Sequence, residues 1–333
     1  MNLACEDEIA PKTVINKRPF QRTTCVCHGE SYSENSPAQR GGEERLDRDV
    51  QRHNEVPAAH QISKASIHVD ETAYRCIAVM DRWRGRVALV TGASVGIGAA
   101  VAKELVRCGM KVVGCARNVD KIQELAAECK KAGYTGVLVP IKCDLTKEDD
   151  ILAMFATIKQ QHKGVDVLIN NAGLAHPDPL LSGKTSGWRN MLDVNVLALS
   201  ICAREAYQSM KERNVDDGHI INLNSVAGHV VHPISGAHFY AGTKHTVTAL
   251  TEGLRQELHE AKSHIRATSI SPGFVETEFA DRYLQDKNLA QQMLSQQKNL
   301  TAGDIAETVV YVLGAPPHVQ IGELLIRPVE QQM

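Results

Sequence analysis

The chain has 333 residues and a formal net charge of −2, from 37 Lys and Arg against 39 Asp and Glu. This near-neutral balance gives no electrostatic reason to bind nucleic acid or an anionic membrane surface. Hydrophobic residues make up 43% of the chain, enough for a substantial core, yet no apolar run approaches the roughly 18 residues of a membrane span. These numbers favour a globular protein whose partner is a small molecule, with no nucleic acid and no membrane span.

Nine cysteines are scattered along the sequence, an odd number that does not suggest a disulfide framework in a chain of this length. We expect reduced thiols and, because the start of the chain lacks an apolar signal segment, a cytoplasmic location. The one tight cluster, Cys25-Val26-Cys27-His28, lacks the second pair of ligands typical of a zinc site, so no metal is expected.

Residues 1–80 are polar and irregular, with four prolines and no sustained helical or strand periodicity. We expect a disordered N-terminal extension, because such a composition does not bury enough apolar surface to order the chain. Residues 81–333 are expected to form a single domain. One alternative places the main role of the protein in residues 1–80, as an interaction segment.

Strand and helix patterns alternate from Arg84 onward. The first strand, Arg86–Gly92, is a short apolar run that ends in glycine, typical of a buried parallel strand. Further strands are predicted at 111–116, 136–144, 165–173, 219–225, 265–273 and 322–327. Helices are predicted between them at 99–107, 120–131, 149–161, 188–210, 240–261 and 302–313. This order predicts an α/β protein with a doubly wound, parallel seven-stranded sheet, helices on both faces, and ligands bound beyond the carboxyl ends of the strands.

The first motif is a glycine-rich turn between the first strand and the first helix. Thr91 is followed by Gly92, Ala93, Ser94, Val95, Gly96, Ile97 and Gly98. Glycines at this spacing let the backbone turn tightly and approach a pyrophosphate, whose charge the helix N-terminus favours. The turn therefore predicts that residues 92–98 bind a dinucleotide cofactor.

The end of the second strand indicates which dinucleotide this is. An NAD site usually has an acid there, about 20 residues past the glycines, which bonds the ribose 2′-hydroxyl. This chain has Ala116, then Arg117 and Asn118. A cation suits a 2′-phosphate, so we expect NADP(H), with a solvated surface arginine as the alternative. After the third strand, Asp144 and Leu145 are expected at the adenine edge, although Asp144 also fits a helix N-cap.

Polar residues further along the chain predict the reacting groups. Asn171 lies among small residues after the fourth strand, where the backbone would pass close to a cofactor. Tyr240 and Lys244 are four residues apart, on one helical face, and the cation is expected to lower the pKa of Tyr240. Ser225 ends the fifth strand, where its hydroxyl would polarise a substrate carbonyl. Asn195 lies inside the long helix, where the alternative to a catalytic role is a helix–helix hydrogen bond in the core.

Together these motifs resemble the short-chain dehydrogenase/reductase family, of the single-domain Rossmann-fold type. The glycine turn, the Asn-Asn-Ala-Gly run, the YxxxK pair and the segment 272–277 occur in the family's order, and the resemblance extends from about Arg84 to Arg327. It implies a catalytic tetrad, formed by Asn195, Ser225, Tyr240 and Lys244.

The resemblance also assigns the roles of the tetrad. Tyr240 would pass the proton and Ser225 would hold the carbonyl, so both would contact the substrate. Lys244 would bind the nicotinamide ribose and tune Tyr240, and Asn195 would anchor a water leading to Lys244. Residues that the resemblance places at the nicotinamide end are Val275, Glu276 and Thr277.

Segments around Met80, Gly187, Glu205 and Gly253 resemble one vertebrate member of this family. This implies an NADP(H)-dependent carbonyl reductase or alcohol dehydrogenase for 17β- and 3β-oxygenated steroids and for dicarbonyl compounds, in a homo-oligomer (dimer or tetramer). Alternatives are an isoprenoid or retinoid substrate, a non-catalytic NADP-binding protein, and a sugar-nucleotide epimerase. The complete tetrad and the continuation of the same sheet after Lys244 weigh against the last two. Residues 279–299 are expected to form a polar substrate lid.

Overall fold

The computed structural model describes residues 80–295 and 298–331. The predicted extension, with its Cys25–His28 cluster, lies outside the described residues apart from Met80. Met80 belongs to the core, because its side chain is fully buried, as is that of Trp83 in the short 3₁₀ helix Asp81–Trp83. The indole Nε1 of Trp83 donates to the carbonyl oxygen of Leu313 (2.8 Å), so this short helix is joined to the other end of the domain.

Seven parallel strands form one sheet. They are β1 (Val87–Thr91), β2 (Lys111–Ala116), β3 (Val137–Lys142), β4 (Val167–Asn170), β5 (His219–Leu223), β6 (Arg266–Pro272) and β7 (Glu323–Ile326). Their order across the sheet is β3-β2-β1-β4-β5-β6-β7, and each neighbouring pair is parallel. The predicted doubly wound parallel sheet is confirmed.

Helices cover both faces of this sheet. They are α1 (Gly96–Arg107), α2 (Asp120–Lys131), α3 (Glu148–His162), α4 (Thr185–Leu192), α5 (Leu199–Glu212), α6 (His238–Glu260), α7 (Glu278–Leu284), α8 (Lys287–Leu294) and α9 (Ala302–Gly314). Ala88 and Val90 of β1 share one apolar cluster with residues of α1 and α9, whereas Val87 and Leu89 share another with residues of α3 and α5. Both faces of β1 are therefore buried, which explains its continuous apolar sequence.

Two segments differ from their predicted form. The long helix predicted at 188–210 is α4 followed directly by a π-helical turn, Asp193–Ala198, and then by α5. The expected polar lid contains the helices α7 and α8. Each of these helices has only seven or eight residues, too few to show several periods of a helical pattern in the sequence.

The crevice of the sheet lies where the strand order changes direction. The chain passes from β1 outward through β2 to β3, and then returns to β4 on the other side of β1. Loops after β1 and β4 therefore diverge, which opens space at the carboxyl edge. Among the described residues, no helix is long and apolar enough to cross a membrane.

Candidate active site

A cavity of about 680 Å³ opens at the carboxyl ends of the strands. Most of the predicted site residues line it: Gly92, Ser94, Val95, Gly96, Ile97, Gly98, Arg117, Asn118, Asp144, Leu145, Asn171, Ser225, Tyr240, Lys244, Val275 and Thr277. Three predicted residues do not. Ala93 and Asn195 have buried side chains outside the lining, and the side chain of Glu276 is exposed to solvent.

The glycine turn is shaped by close contacts with the loop after β4. Gly92 and Gly96 have φ angles of 67° and 58°, a left-handed backbone that a side chain would strain. At Gly98, a Cβ atom would lie 2.3 Å from the carbonyl oxygen of Gly92 and 2.4 Å from Nδ2 of Asn171, so only glycine fits. Val95 is the N-cap of α1 and provides no side-chain cap, which leaves the first amides of the helix able to donate to an anion.

Hydrogen bonds between Thr91 and Asn171 join the glycine turn to the end of β4. Thr91 Oγ1 accepts from the backbone amides of Asn171 and Ala172, each at 3.0 Å. Asn171 Nδ2 donates to the carbonyl oxygens of Thr91 (2.8 Å) and Gly92 (3.2 Å). The Asn171 side chain therefore braces the turn, a role that sequence spacing alone did not indicate.

Two cations lie where β2 leads into α2. Arg117 is exposed and lines the cavity, and Lys121, in the first turn of α2, lines it as well. Asn118 Oδ1 accepts from the backbone amide of Asp120 (2.9 Å), so this side chain helps to start α2. The end of β2 therefore presents positive charge to the cavity on a backbone fixed by a local hydrogen bond.

Asp144 forms a turn ahead of α3, but it is not the helix N-cap that was the alternative in the sequence, because that position belongs to Lys147. Its Oδ1 accepts from the backbone amide (3.1 Å) and the hydroxyl (2.8 Å) of Thr146. These bonds, with a smaller contribution from the charge of Arg117, hold the pKa of the Asp144 carboxyl below its ordinary value. The residue nevertheless remains on the cavity wall next to Leu145.

Ser225 and Tyr240 form a pair of hydroxyls in the cavity wall. Ser225 Oγ accepts from the backbone amide of Ala227 (3.1 Å), and its own hydroxyl proton can still be donated into the cavity. Burial raises the pKa of Tyr240 to about 12, and the bond with Ser225 offsets part of this effect. The phenol therefore carries its proton at neutral pH, next to a second donor.

Lys244 lies one helical turn beyond Tyr240. Its ammonium donates to the carbonyl oxygen of Leu223 (2.9 Å) and lies 5.9 Å from the centroid of the Tyr240 ring. Lys244 is only 5% exposed, and burial lowers its pKa to about 8. The expectation that Lys244 lowers the pKa of Tyr240 is wrong for this arrangement, because the ammonium bonds Leu223 and burial dominates at the phenol.

Asn195 lies in the π-helical turn, and its side-chain amide is bonded within the protein. Nδ2 donates to the carbonyl oxygen of Leu174 (2.8 Å) and to Thr243 Oγ1 (3.1 Å), and Oδ1 accepts from the Leu174 amide (2.9 Å). The bond to Thr243 is the helix–helix contact that the sequence left open. The two bonds to Leu174 additionally fix the loop after β4. Extra residues in π turns often occur at functional sites, which agrees with the position of Asn195.

The segments on either side of the expected lid, residues 279–299, meet at one point of the domain. Val275 and Leu300 form an isolated parallel bridge. At this bridge, the amide of Glu276 donates to the carbonyl oxygen of Leu300 (2.8 Å). The amide of Leu300 donates in turn to the carbonyl oxygen of Phe274 (3.0 Å). The two hinges of the lid are thus hydrogen-bonded to each other.

Side chains of α7 reach both halves of the cavity. The ring of Phe279 lies 5.7 Å from that of Tyr240, centroid to centroid. Glu278 accepts from Lys121 Nζ (3.4 Å) on α2 and from Arg282 Nη2 (2.8 Å) on its own helix. Thr277 Oγ1 accepts from the Phe279 amide and caps α7. This segment therefore contacts both Tyr240 and the cationic end of the cleft.

Sequence reasoning missed four residues that the fold places at the site. Thr91 precedes the glycines, but its side-chain role depends on β4. The sequence did contain a local indication for Lys121, because it is a second cation four residues after Arg117. Phe279 and Gln331 line the cavity from segments without a periodic pattern, so that only the fold places them there.

The fold and this site define an oxidoreductase of the dinucleotide-binding α/β class. A family model described as short chain dehydrogenase matches residues 86–288. That match covers more than half of the chain, and the chain therefore belongs to the short-chain dehydrogenase family. The resemblance found in the sequence is confirmed.

Comparison with individual proteins adds detail to this family assignment. Dehydrogenase/reductase SDR family member 11 of Gallus gallus is 68% identical over 253 residues, which are 76% of this chain and 99% of that protein. It is the vertebrate member that the additional sequence segments resemble. Farnesol dehydrogenase of Aedes aegypti is 46% identical over 255 residues, 76% of this chain and 100% of that protein. Among solved structures, the closed form of serine dehydrogenase complexed with NADP+ is 33% identical, with a TM-score of 0.68, over 74% of this chain and 96% of that one.

Proposed function

We propose that this protein is an NADP(H)-dependent carbonyl reductase and alcohol dehydrogenase that transfers a hydride to or from a ketone. The observation that carries the proposal is that the hydroxyl side chains of Ser225 and Tyr240, with Lys244 one turn beyond Tyr240, line the same cavity as the glycine turn. A protonated phenol beside a second hydroxyl is suited to receive a ketone oxygen and to protonate it.

The residues around the glycine turn fit a dinucleotide. The amides at the start of α1 lack a side-chain cap and suit a pyrophosphate, and the bare Cα of Gly98 keeps the turn close to β4. Arg117 and Lys121 offer two cations where an NAD site would carry an acid, which supports NADP(H). When bound, the nicotinamide supplies or accepts the hydride. The solved relative complexed with NADP+ supports the same cofactor.

In this proposal the tetrad residues have different tasks. Ser225 donates to the ketone oxygen, and Tyr240 gives its proton to that oxygen as the alcohol forms. Lys244, one helical turn beyond Tyr240, would bind a ribose hydroxyl and so hold the cofactor beside the phenol. Asn195 positions the loop at Leu174 and does not contact the reacting atoms. Val275, Glu276 and Thr277 would hold the nicotinamide end of the cofactor.

We propose bulky ketones of the steroid and dicarbonyl types as substrates. The cavity beyond the hydroxyl pair has mainly apolar walls, formed by Leu174, Ala175, Val226, Ile234, Phe279, Leu284 and Leu294. An isoprenoid alcohol or aldehyde is the second candidate, because the same walls suit a flexible hydrocarbon chain and a farnesol dehydrogenase is among the relatives. The sequence resemblance is what favours the first candidate.

Three further features belong to the proposal. Residues 81–333 act as one catalytic domain, the protein assembles as a dimer or tetramer, and it works in the cytoplasm. Light scattering of the purified protein checks the second feature, and fractionation of cells checks the third.

The test is a screen that follows NADPH absorbance with ketosteroids, dicarbonyls, retinal and isoprenoid aldehydes. We expect turnover with at least one class, and Tyr240→Phe is expected to reduce kcat about 10²- to 10⁴-fold, because the proton donor is lost. The affinity for NADPH should stay within about twofold of the native value. Tyr283→Phe, which removes another phenol from the same cavity, is the matched control and should retain activity.

Two outcomes would contradict the proposal. Substantial turnover by Tyr240→Phe would remove this residue from the chemistry. NADPH binding without turnover across the whole panel would favour a non-catalytic NADP-binding protein.

A further inference from the structure

Gln331 reaches the cavity from the chain that follows β7. After β7 the backbone turns, with the Gln331 amide donating to the carbonyl oxygen of Pro328 (3.1 Å). The side chain then returns to the end of β6, where Oε1 accepts from the backbone amide of Phe274 (2.8 Å). This side chain is part of the cavity wall. A residue far away in sequence thus holds the first hinge of the lid.

The contact with β6 is tight. A Cβ atom at Gly273 would lie 2.1 Å from Gln331 Oε1 and 3.2 Å from Nε2, so the carboxamide rests directly against the bare Cα of this glycine. The position of the carboxamide is therefore fixed by the backbone on which it lies.

The neighbouring residue holds the second hinge. Glu330 Oε2 accepts from the backbone amide of Lys298 (3.1 Å), two residues before Leu300. Residues 330 and 331 therefore contact both hinges of the lid with successive side chains. These contacts give residues 330 and 331 a structural role. In that role the Gln331 carboxamide uses its oxygen and not its NH₂ group.

The other end of that carboxamide is an amide donor. Because Oε1 must accept from Phe274, the NH₂ group is Nε2, and its two protons have no hydrogen-bond partner among residues 80–295 and 298–331. Several of its neighbours in the cavity wall are apolar, including Phe274, Leu284 and Leu294. A donor in such a wall discriminates strongly among ligands, because a ligand without a matching acceptor leaves it unpaired.

We propose that Gln331 is a specificity-determining residue, whose Nε2 donates to an oxygen of the substrate remote from the reacting carbonyl. This inference rests on the proposed reduction of ketones and names a feature of the substrate: a second hydroxyl or keto oxygen on a bulky apolar frame. In this proposal, Oε1 accepts from the Phe274 amide at the lid hinge and Nε2 donates a hydrogen bond to the substrate.

Two variants separate these two tasks. Gln331→Met removes both polar ends at similar size. Gln331→Glu keeps an oxygen that accepts from Phe274 and replaces the donor by an anion. The matched control is Gln320→Met, because Gln320 also bonds backbone, accepting from the Ala267 amide (3.4 Å) and donating to the Ile321 carbonyl oxygen (3.0 Å), but does not line the cavity.

The measurement is calorimetric binding of a ketone to the protein with NADP+, which has no hydride to give, so the readout does not require turnover. The probes are a 3,17-diketosteroid and the same 17-ketone without the 3-keto oxygen, neither of which carries an alcohol that NADP+ would oxidise. For the dioxygenated ketone we expect Kd to rise about tenfold in both Gln331 variants, the worth of one hydrogen bond. The deoxy ketone should change less than about twofold, and Gln320→Met should change neither Kd.

An equal loss of affinity for both ketones would show that Gln331 only holds the hinge, and would overturn the inference. Unchanged affinity for both ketones would overturn it as well. A loss of NADP+ affinity in place of ketone affinity would assign the donor to the cofactor and overturn it too. Failure of the proposed function is a distinct result, because it would show as absent NADPH oxidation by the native protein.

Discussion

The two sides of the cleft are held in place by different means. On one side, which we call the floor, the glycine turn 92–98 is braced against β4 by four hydrogen bonds between Thr91, Gly92, Asn171 and Ala172. On the other side, the lid is joined at the Val275–Leu300 bridge and by an ion pair from Lys121 to Glu278 whose side chains are 51% and 47% exposed. Exposed ion pairs of this kind contribute roughly 0–1 kcal/mol.

The two sides of the cleft therefore differ in how firmly they are held in place. The floor is braced by hydrogen bonds close to the glycine turn, whereas the lid between its two hinges is joined to α2 by an exposed ion pair, so we expect the lid to change its position at a lower cost in free energy. Cofactor binding should therefore be sensitive to small changes of shape, and substrate binding should depend on individual polar contacts such as that of Gln331.

The largest expected effect comes from the buried charge of Lys244 in the cavity wall, and it depends on pH. Burial lowers the pKa of Lys244 from 10.5 to about 8 in the folded protein, so between these values the unfolded chain binds more protons and stability rises with pH. Across the whole window the gain is about 3 kcal/mol, from 1.36 kcal/mol for each pKa unit. Urea unfolding of the native protein and of Lys244→Met between pH 7 and 9.5 measures the part of this gain that falls below pH 9.5, about 2 kcal/mol.

The native protein should gain stability relative to Lys244→Met as pH rises through about 8. Above pH 10 the raised pKa of Tyr240 acts in the opposite direction, because the unfolded tyrosine loses its proton first, so the measurement ends below that pH. Parallel pH curves for the two proteins would show that Lys244 is not desolvated.

The shape of the floor gives the next effect. Gly98→Ala places a methyl group on the Gly92 carbonyl oxygen and Asn171 Nδ2, and we expect NADPH affinity to fall about 100-fold, since overpacking of this kind costs about 1–3 kcal/mol. Gly253→Ala is the matched control in α6, where a Cβ atom meets nothing within 4 Å, and it should stabilise the protein by up to about 1 kcal/mol. Fluorescence titration with NADPH measures both. If Gly98→Ala binds NADPH with native affinity, the glycine turn can shift to accommodate the methyl group, and the floor is not more rigid than the lid.

The cationic end of the cleft gives the smallest of these effects. Arg117→Asp is expected to move the NADPH/NADH ratio of kcat/KM about tenfold or more toward NADH, because an acid suits a ribose 2′-hydroxyl and repels a 2′-phosphate. Arg204→Asp is the control, since Arg204 is an exposed arginine that pairs with Glu148 and Glu205. An unchanged ratio would leave Arg117 as a solvated surface residue and assign the phosphate to other groups.

The floor was largely predictable from the sequence, whereas for the lid the sequence indicated only a segment, 279–299, and neither its helices nor its contacts with the cavity. Strand β1 and the glycine turn are contiguous in sequence, so a local pattern revealed them. The lid helices are too short to show a period, and Phe279 and Gln331 enter the cavity through contacts between distant parts of the chain. Only long-range packing places them.

The predicted chemistry of the tetrad was partly misleading for a physical reason. Spacing correctly placed Tyr240 and Lys244 on one helical face, but the effect of one charge on the other depends on burial and on competing acceptors. The carbonyl oxygen of Leu223 takes the ammonium bond. Likewise, the π-helical turn around Asn195 leaves no pattern in the sequence, since it changes the helix by a single residue.

The anchoring of Trp83 has a practical consequence. Because α9 runs from the lid hinge back to the amino ends of the strands, the bond from Trp83 to Leu313 fixes the exposed Asp81 at the pole of the domain opposite the cleft. A fluorophore attached at position 81 is thus a stationary reference. Paired with a second dye at Leu289, which is 48% exposed on α8, it converts any displacement of the lid into a change of energy transfer, without altering a residue of the cavity wall.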